Sequence, residues 1–326
     1  MLNPTINSAI FEFAKLQFIF LMMTEDPYKK PVSYTAGFFM LIAFGIAGMI
    51  FGTLLGGILW TVMTGKSMAD ITTAMGNPAY LKEMQVLQTF TTVFGFLVPA
   101  IATAAFLSRK PLKLIGFEQK PGARQLVLTV GIILTGLGVS SALGYLTYQL
   151  PLPQQVKIFF DRWENMYASQ VTGLISLKNP SELVVSVLIL ALVPAICEET
   201  FFRGGLQNFM YRSNRNLWLS VIVVSLIFSA VHMSGYGFLS RFALGIILGL
   251  IYQLTGSIWL NILAHFINNA LAVIMMYTEV QAGKSVADAM NDKSGSYWGL
   301  AAIPVVVLLF LLLFRKTKQT ELADGV

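Results

Sequence analysis

The sequence predicts an all-α fold, a polytopic transmembrane helical bundle of about eight spans with an N-terminal interfacial helix. Of the 326 residues, 56% are hydrophobic and only 12% are charged, whereas a soluble domain carries about a quarter charged residues. Several apolar runs are long enough to cross a bilayer. The net charge of +6 comes mainly from basic residues in the short connectors between these runs. That pattern is typical of membrane topology and argues against nucleic-acid binding.

Composition divides the chain into four segments. The first, 1–33, contains an apolar and aromatic stretch with a few charges, 5–23, which is typical of a helix lying in the membrane surface. Transmembrane helices and connectors are predicted over 34–180. A core segment, 181–278, holds charged and imidazole side chains inside apolar runs. A polar loop, the last span and a basic tail make up 279–326.

Eight apolar runs are predicted to cross the membrane. In the first run Gly48, Gly52 and Gly56 lie four apart, which places small residues on one helical face and favours close contact with another helix. The connector 155–180 is predicted to contain an amphipathic surface helix, either a plain link or a guard over the entrance to a site. The runs are 35–63, 87–107, 125–148, 182–203 with a helical continuation to about 212, 216–232, 239–254, 258–277 and 297–314.

An even number of spans puts both termini on one side of the membrane. Most Lys and Arg residues fall on that side, which predicts cytoplasmic termini. The sequence therefore predicts a multi-pass protein of the cell inner (cytoplasmic) membrane, in contact with membrane lipids.

Strong acid–base groups are rare inside the predicted spans. All six Asp residues fall in connectors or tails, and Glu198 and Glu199 are the two Glu residues well within an apolar run. The two histidines of the chain, His232 and His265, both lie in spans. Because ionisable groups are costly in a bilayer, these four residues are candidates for a functional site.

The first candidate pair is set by helical spacing. Glu199 and Arg203 are four residues apart with the acid first, so they can pair on one face of a helix. Glu198 lies about 100° around the same helix. We therefore expect Glu199 to be neutralised by Arg203 and Glu198 to remain a free carboxylate. The adjacent Cys197 is the single cysteine, which excludes an intrachain disulfide.

Counting residues also predicts which side chains meet. From a turn near 213–216, Glu198 and His232 are each about 15–18 residues away, which is roughly 22–27 Å along either helix. The two helices of a hairpin can therefore bring them together. His265 and Asn269 are four apart, so both side chains face one way.

These residues can perform two kinds of hydrolytic chemistry. A carboxylate and an imidazole can hold and deprotonate a water, while a second His and an Asn amide can donate hydrogen bonds to an oxyanion. Alternatively, Glu198, His232 and His265 are the ligand types of a catalytic zinc site. No H-E-x-x-H or G-x-S-x-G motif is present, and no span contains an Asp. A thiol mechanism through Cys197 is a further alternative to a packing role.

Three motifs of the core segment resemble the signatures of the CAAX-protease and bacteriocin-processing (CPBP or Abi) family, which includes the Ras-converting prenyl-protein endopeptidase. The resemblance covers about 183–277, with no departure at any motif position. The motifs are Glu198-Glu199-x-x-x-Arg203, Phe228-x-x-x-His232 and His265-x-x-x-Asn269.

The resemblance implies a helical intramembrane endopeptidase with 181–278 as its catalytic core. By that analogy Glu198 and His232 activate the water, and His265 with Asn269 forms the oxyanion hole. The family has been described both as metalloproteases and as metal-independent glutamate proteases. The lack of a familiar zinc motif favours the glutamate version, and a divalent metal such as zinc stays open as a cofactor.

Three functions therefore compete. The first is an integral-membrane endopeptidase that cleaves a membrane-embedded or membrane-adjacent protein or peptide. The second is a proton- or ion-coupled transporter, because intramembrane Glu and His also mark ion pathways. The third is a non-catalytic membrane immunity or scaffold protein, whose phenotype would survive substitution of Glu198.

Overall fold

The predicted all-helical architecture is confirmed in the part of the chain that can be described. The structure is a computed structural model in which residues 27–290 and 295–323 are described, with side chains as far as 314. It contains helices and one isolated β-bridge, between Lys29 and Ser108. The interfacial helix predicted over 5–23 lies outside the described residues.

Among the described residues, nine longer helices define the bundle and its surface. Seven of them are long and apolar enough to cross a membrane, so the chain is an integral membrane protein. The helices are α1 Tyr34–Thr64, α2 Pro78–Leu107, α3 Ala123–Gln149, α4 Gln154–Thr172, α5 Pro180–Asn214, α6 Leu217–Val231, α7 Phe238–Thr255, α8 Ile258–Gln281 and α9 Tyr297–Phe314.

The structure changes the expectation for two predicted spans. Helix α2 begins at Pro78, nine residues before the predicted 87–107. Helix α6 has only 15 residues, about 22 Å of helix against about 30 Å of hydrocarbon. It is thus shorter than the hydrocarbon thickness, with bounds close to the predicted 216–232.

Polar caps set the starts of several helices. The side chain of Ser33 accepts a hydrogen bond from the Ala36 amide at the start of α1. Asn179 caps α5 through the Glu182 amide, and Asn216 caps α6 in the same way. These caps satisfy amides that have no partner within the helix. The end of α7 uses Gly256, whose φ of 64° suits glycine.

Prolines widen two of the long helices. Pro194 in α5 has no amide hydrogen for the carbonyl of Leu190, four residues earlier. The turn before it, Leu188–Leu192, is a π-helix, and Val93–Leu97 before Pro99 in α2 is another. A third π-helical segment, Thr200–Gln207, follows the two glutamates of α5. All eight of its residues are buried, so this segment lies at the centre of the bundle.

The predicted stripe of small residues in α1 is confirmed as a helix contact. A Cβ atom at Gly48 would collide with the carbonyl oxygen of Phe94 in α2. Cβ atoms at Gly52 and Gly56 would lie 2.7 Å from Phe90 O and 3.1 Å from the Leu87 Cα. Glycine at these positions therefore allows the two backbones to touch.

We expect Gly48→Ala to destabilise the bundle by about 1–3 kcal/mol, because the added methyl overpacks a backbone contact. Thermal unfolding in detergent would measure the loss. Gly131→Ala in α3 is the matched control, since its Cβ would meet Leu309 at an ordinary 3.4 Å. Equal stability of the two variants would show that α1 and α2 do not approach as described.

Candidate active site

Glu198 and Glu199 project from the middle of α5 toward two different environments. Successive residues of a helix point about 100° apart. Glu199 is fully buried, whereas the Glu198 side chain is 15% exposed. The two carboxylates therefore cannot serve the same purpose, as their spacing from Arg203 predicts.

Glu199 is the centre of a buried polar network. Its Oε1 accepts hydrogen bonds from Arg203 Nη1 at 2.9 Å and from His265 Nδ1 at 2.7 Å. Its Oε2 accepts one from Asn261 Nδ2 at 3.3 Å. The predicted Glu199–Arg203 pair is thus present, and the same carboxylate also holds one of the two histidines. Glu199 therefore connects two helices, because Arg203 lies with it on α5 while Asn261 and His265 lie on α8.

Phe228 and Arg203 pack together beside this network. The guanidinium carbon of Arg203 is 4.4 Å from the centroid of the Phe228 ring, and Nη2 donates to Gly245 O at 3.3 Å. The same ring lies 4.7 Å from the His232 ring and 5.9 Å from the His265 ring. Phe228 is therefore a packing residue, with the arginine and both histidine rings around it.

Glu198 faces His232, as the height calculation predicts. Glu198 Oε2 and His232 Nε2 are 3.8 Å apart, and the His232 side chain is 23% exposed. Glu198 Oε2 accepts no hydrogen bond from the residues described. His232 Nδ1 lies 2.6 Å from the carbonyl oxygen of Phe228. This carbonyl favours the tautomer with the proton on Nδ1, which leaves a lone pair on Nε2 toward Glu198.

Asn269 does not join His265 in a common hydrogen bond, although both lie on α8. Its Nδ2 donates to Leu190 O at 3.4 Å, and its Oδ1 accepts from Asn268 at 2.9 Å. Leu190 lies in the π-helical turn before Pro194, which has no amide hydrogen to donate to this carbonyl. Asn269 is therefore directed toward α5, on the side of the proline turn. Cys197 is 2% exposed and packs in the core.

The three groups predicted as alternative zinc ligands do not form a metal site. Within the described part of the chain, no three His, Cys, Asp or Glu side chains are placed to hold one ion. Glu198 and His232 face each other, but His265 is 2% exposed and its Nδ1 is hydrogen-bonded to Glu199. A zinc site needs its ligand atoms about 2.0–2.2 Å from a common point.

The loop after His232 is attached to α4. Ser234 Oγ donates to Glu164, and Tyr236 Oη donates to Asp161 Oδ1 at 2.9 Å. Burial and the hydrogen bond to Asp161 raise the pKa of Tyr236 to about 12, so the phenol stays a neutral donor. A helix is thus present within 155–180, as predicted, and it anchors the loop that carries His232.

Sequence reasoning missed two polar residues near the glutamates. Asn261 is not among the site residues predicted from the sequence, yet its amide contacts both Glu199 and Leu248 O. Its signal was the spacing of four residues before His265, which places both on one face of α8. Arg241 is also absent from the predicted site residues, because it falls in the first turn of a predicted span. In the structure it lies beside the loop that follows His232.

Comparison with known proteins confirms the resemblance for the core segment. Residues 180–271 match a family described as Type II CAAX prenyl endopeptidase Rce1-like. This match takes in all three motifs and covers less than a third of the chain. The flanking helices α1 to α4 and α9 lie outside it.

One curated relative is an uncharacterized protein, YpbD, from Bacillus subtilis (strain 168). It is 35% identical over 92 residues, which make up 26% of this chain and 42% of the relative. The aligned part is thus less than half the length of the relative. No solved structure gave a significant match.

Proposed function

We propose, from the match of residues 180–271 to the Rce1-like CAAX prenyl endopeptidases, that this protein is an intramembrane endopeptidase. Its substrate would be a membrane-embedded or membrane-adjacent protein or peptide. The observation that carries the proposal is the Glu198–His232 pair, with a buried carboxylate oxygen 3.8 Å from an imidazole nitrogen.

Glu198 and His232 are suited to activate one water molecule. Two acceptor atoms 3.8 Å apart can both lie within hydrogen-bond distance of the same water oxygen. The carboxylate and the Nε2 lone pair would each accept a hydrogen bond from the water. A lone pair of the water then points at the substrate carbonyl carbon. Glu198 takes one proton as the C–O bond forms and returns it to the leaving amine nitrogen as the C–N bond breaks.

His265 is suited to stabilise the oxyanion. Glu199 accepts from Nδ1, so Nε2 can donate a hydrogen bond when the ring is an imidazolium. Glu199 fixes the orientation of the ring, as the buried acid does in serine-protease triads. Asn269 Nδ2 makes only a 3.4 Å bond to Leu190 O, so it can turn to donate to the same oxyanion.

Metal ions are not required in this mechanism. We favour the glutamate-dependent version, because Glu198, His232 and His265 are not placed to hold one ion in the described structure. The protein would act in the cytoplasmic membrane with both termini on the cytoplasmic side. Because α6 is short, the substrate would reach His232 at the end of α6, on the side of the bundle where α4 lies.

Purified protein in proteoliposomes is expected to cleave a fluorogenic prenylated peptide without inhibition by EDTA or phenanthroline. His232→Ala should lower kcat/KM by about 10²–10⁴-fold, the range for loss of a general acid–base group. The matched control is Val231→Ala, whose side chain is 48% exposed on the outside of α6 and whose activity should be unchanged.

Other results would favour the rival functions. Inhibition by chelator together with stoichiometric bound zinc would establish the metal-dependent version. Absence of cleavage, combined with proton or ion flux that is lost in Glu198→Gln, would support a transporter. A cellular phenotype that survives Glu198→Gln would indicate a scaffold or immunity role.

A further inference from the structure

Arg241 has an unused hydrogen-bond donor in a protein interior. It lies in the first turn of α7, and its Nη1 is buried with no partner among the residues described. The guanidinium carbon is 4.9 Å from the centroid of the Tyr167 ring on α4. Leaving a buried donor on a charged group unpaired costs free energy. A ligand that brings an acceptor to this nitrogen would recover that cost.

Arg241 is also close to the candidate catalytic groups. Gly245, one turn later on the same face of α7, accepts the hydrogen bond from Arg203 Nη2. Ser229 Oγ donates to Phe238 O at 2.6 Å, which joins the first turn of α7 to the turn of α6 that ends at His232. The guanidinium is near enough to interact electrostatically with both Glu198 and His232.

A cavity of about 180 Å³ opens beside this guanidinium. Its walls include Ser234 and Tyr236 from the loop after His232, and Tyr148 and Glu164 from α3 and α4. The volume suits one small polar group. Glu164 accepts a hydrogen bond from Ser234, and none of the ion pairs among the described residues includes Arg241.

We propose that Arg241 binds a carboxylate of the substrate peptide and is a specificity-determining residue of the protease. This inference rests on the proposed function. A guanidinium recognises a carboxylate through two parallel N–H donors, a geometry that lysine does not reproduce. The carboxylate lies within a few residues of the scissile bond, because Arg241 is one helical turn from the Arg203–Gly245 contact. Its source is either the C-terminus of the peptide or an Asp or Glu side chain.

Three fluorogenic farnesyl-cysteine peptides test this inference with wild type and Arg241→Gln in proteoliposomes. The first has a free C-terminus and an internal Glu. The second is the same peptide with a C-terminal carboxamide, and the third is the first peptide with Gln in place of Glu. We expect Arg241→Gln to raise KM for the first peptide by about 10–100-fold with kcat nearly unchanged, because one charge-assisted hydrogen bond to the substrate is lost. Arg241→Lys should give a smaller increase.

The peptide that no longer responds to Arg241→Gln identifies the source of the carboxylate. If Arg241→Gln no longer raises KM for the carboxamide peptide, the C-terminus supplies the carboxylate. If it no longer raises KM for the Gln peptide, the Glu side chain supplies it. Equal loss on all three peptides, or none, overturns the inference. Arg162→Gln, an exposed arginine on α4, is the matched control and should behave as wild type.

The same peptides separate this inference from the proposed function. If wild type cleaves none of them, the proposed function fails for this substrate class. Direct binding, measured by fluorescence anisotropy, then still decides the role of Arg241. Tighter binding of the carboxylate peptide that disappears in Arg241→Gln supports the inference, and equal affinities for all peptides overturn it.

Discussion

Replacing Glu198 with Gln is expected to abolish peptide cleavage, with kcat lowered by at least about 10³-fold while the protein stays folded. The amide is isosteric but cannot accept the proton of the attacking water. Glu198 Oε2 makes no hydrogen bond to the described residues, so no structural contact is lost. Cleavage assays in proteoliposomes and thermal unfolding in detergent measure the two effects separately.

The control for this variant is Glu83→Gln near the start of α2, the same chemical change outside the site. Its activity should equal that of wild type. If Glu198→Gln keeps turnover within tenfold of wild type on a cleaved peptide, Glu198 is not the general base. An inactive Glu198→Gln that also unfolds at a lower temperature would instead point to a structural role.

Arg203→Ala should be the most destabilising single substitution in the core. Arg203 is 1% exposed and its partner Glu199 is fully buried. Removing one member of a buried pair leaves the other charge without compensation, which costs about 3–5 kcal/mol. The unfolding temperature in detergent should fall by on the order of 10 °C. Activity should also fall, because Glu199 then no longer holds His265 in place.

A double variant separates charge from packing in this network. Glu199→Gln combined with Arg203→Met removes both charges and keeps apolar volume, so it should recover much of the stability lost in Arg203→Ala. It should remain inactive, because an amide cannot stabilise a His265 imidazolium. Arg109→Ala, an exposed arginine, is the control and should change stability by less than about 0.5 kcal/mol. No recovery in the double variant would mean that the pair is not the source of the loss.

Several parts of the site could be predicted from local spacing. The Glu199–Arg203 pair follows from a separation of four residues on one helix, and the contact of Glu198 with His232 follows from equal distances to a turn. The contact between Glu199 and His265 could not be predicted in this way. This contact joins α5 to α8 across 66 residues of sequence. Hydrophobic periodicity describes one helix at a time and does not give its rotation relative to another helix.

The sequence by itself determined the membrane class, the helical fold and the candidates for catalysis. Hydropathy and the cost of charge in a bilayer are properties of the chain alone. Only the tertiary structure decided that Glu199 also holds His265, that Asn269 contacts the Leu190 carbonyl, and that Arg241 lies by the site. The physical reason is that these features depend on helix packing and on π-helical turns, which hydrophobic periodicity does not encode.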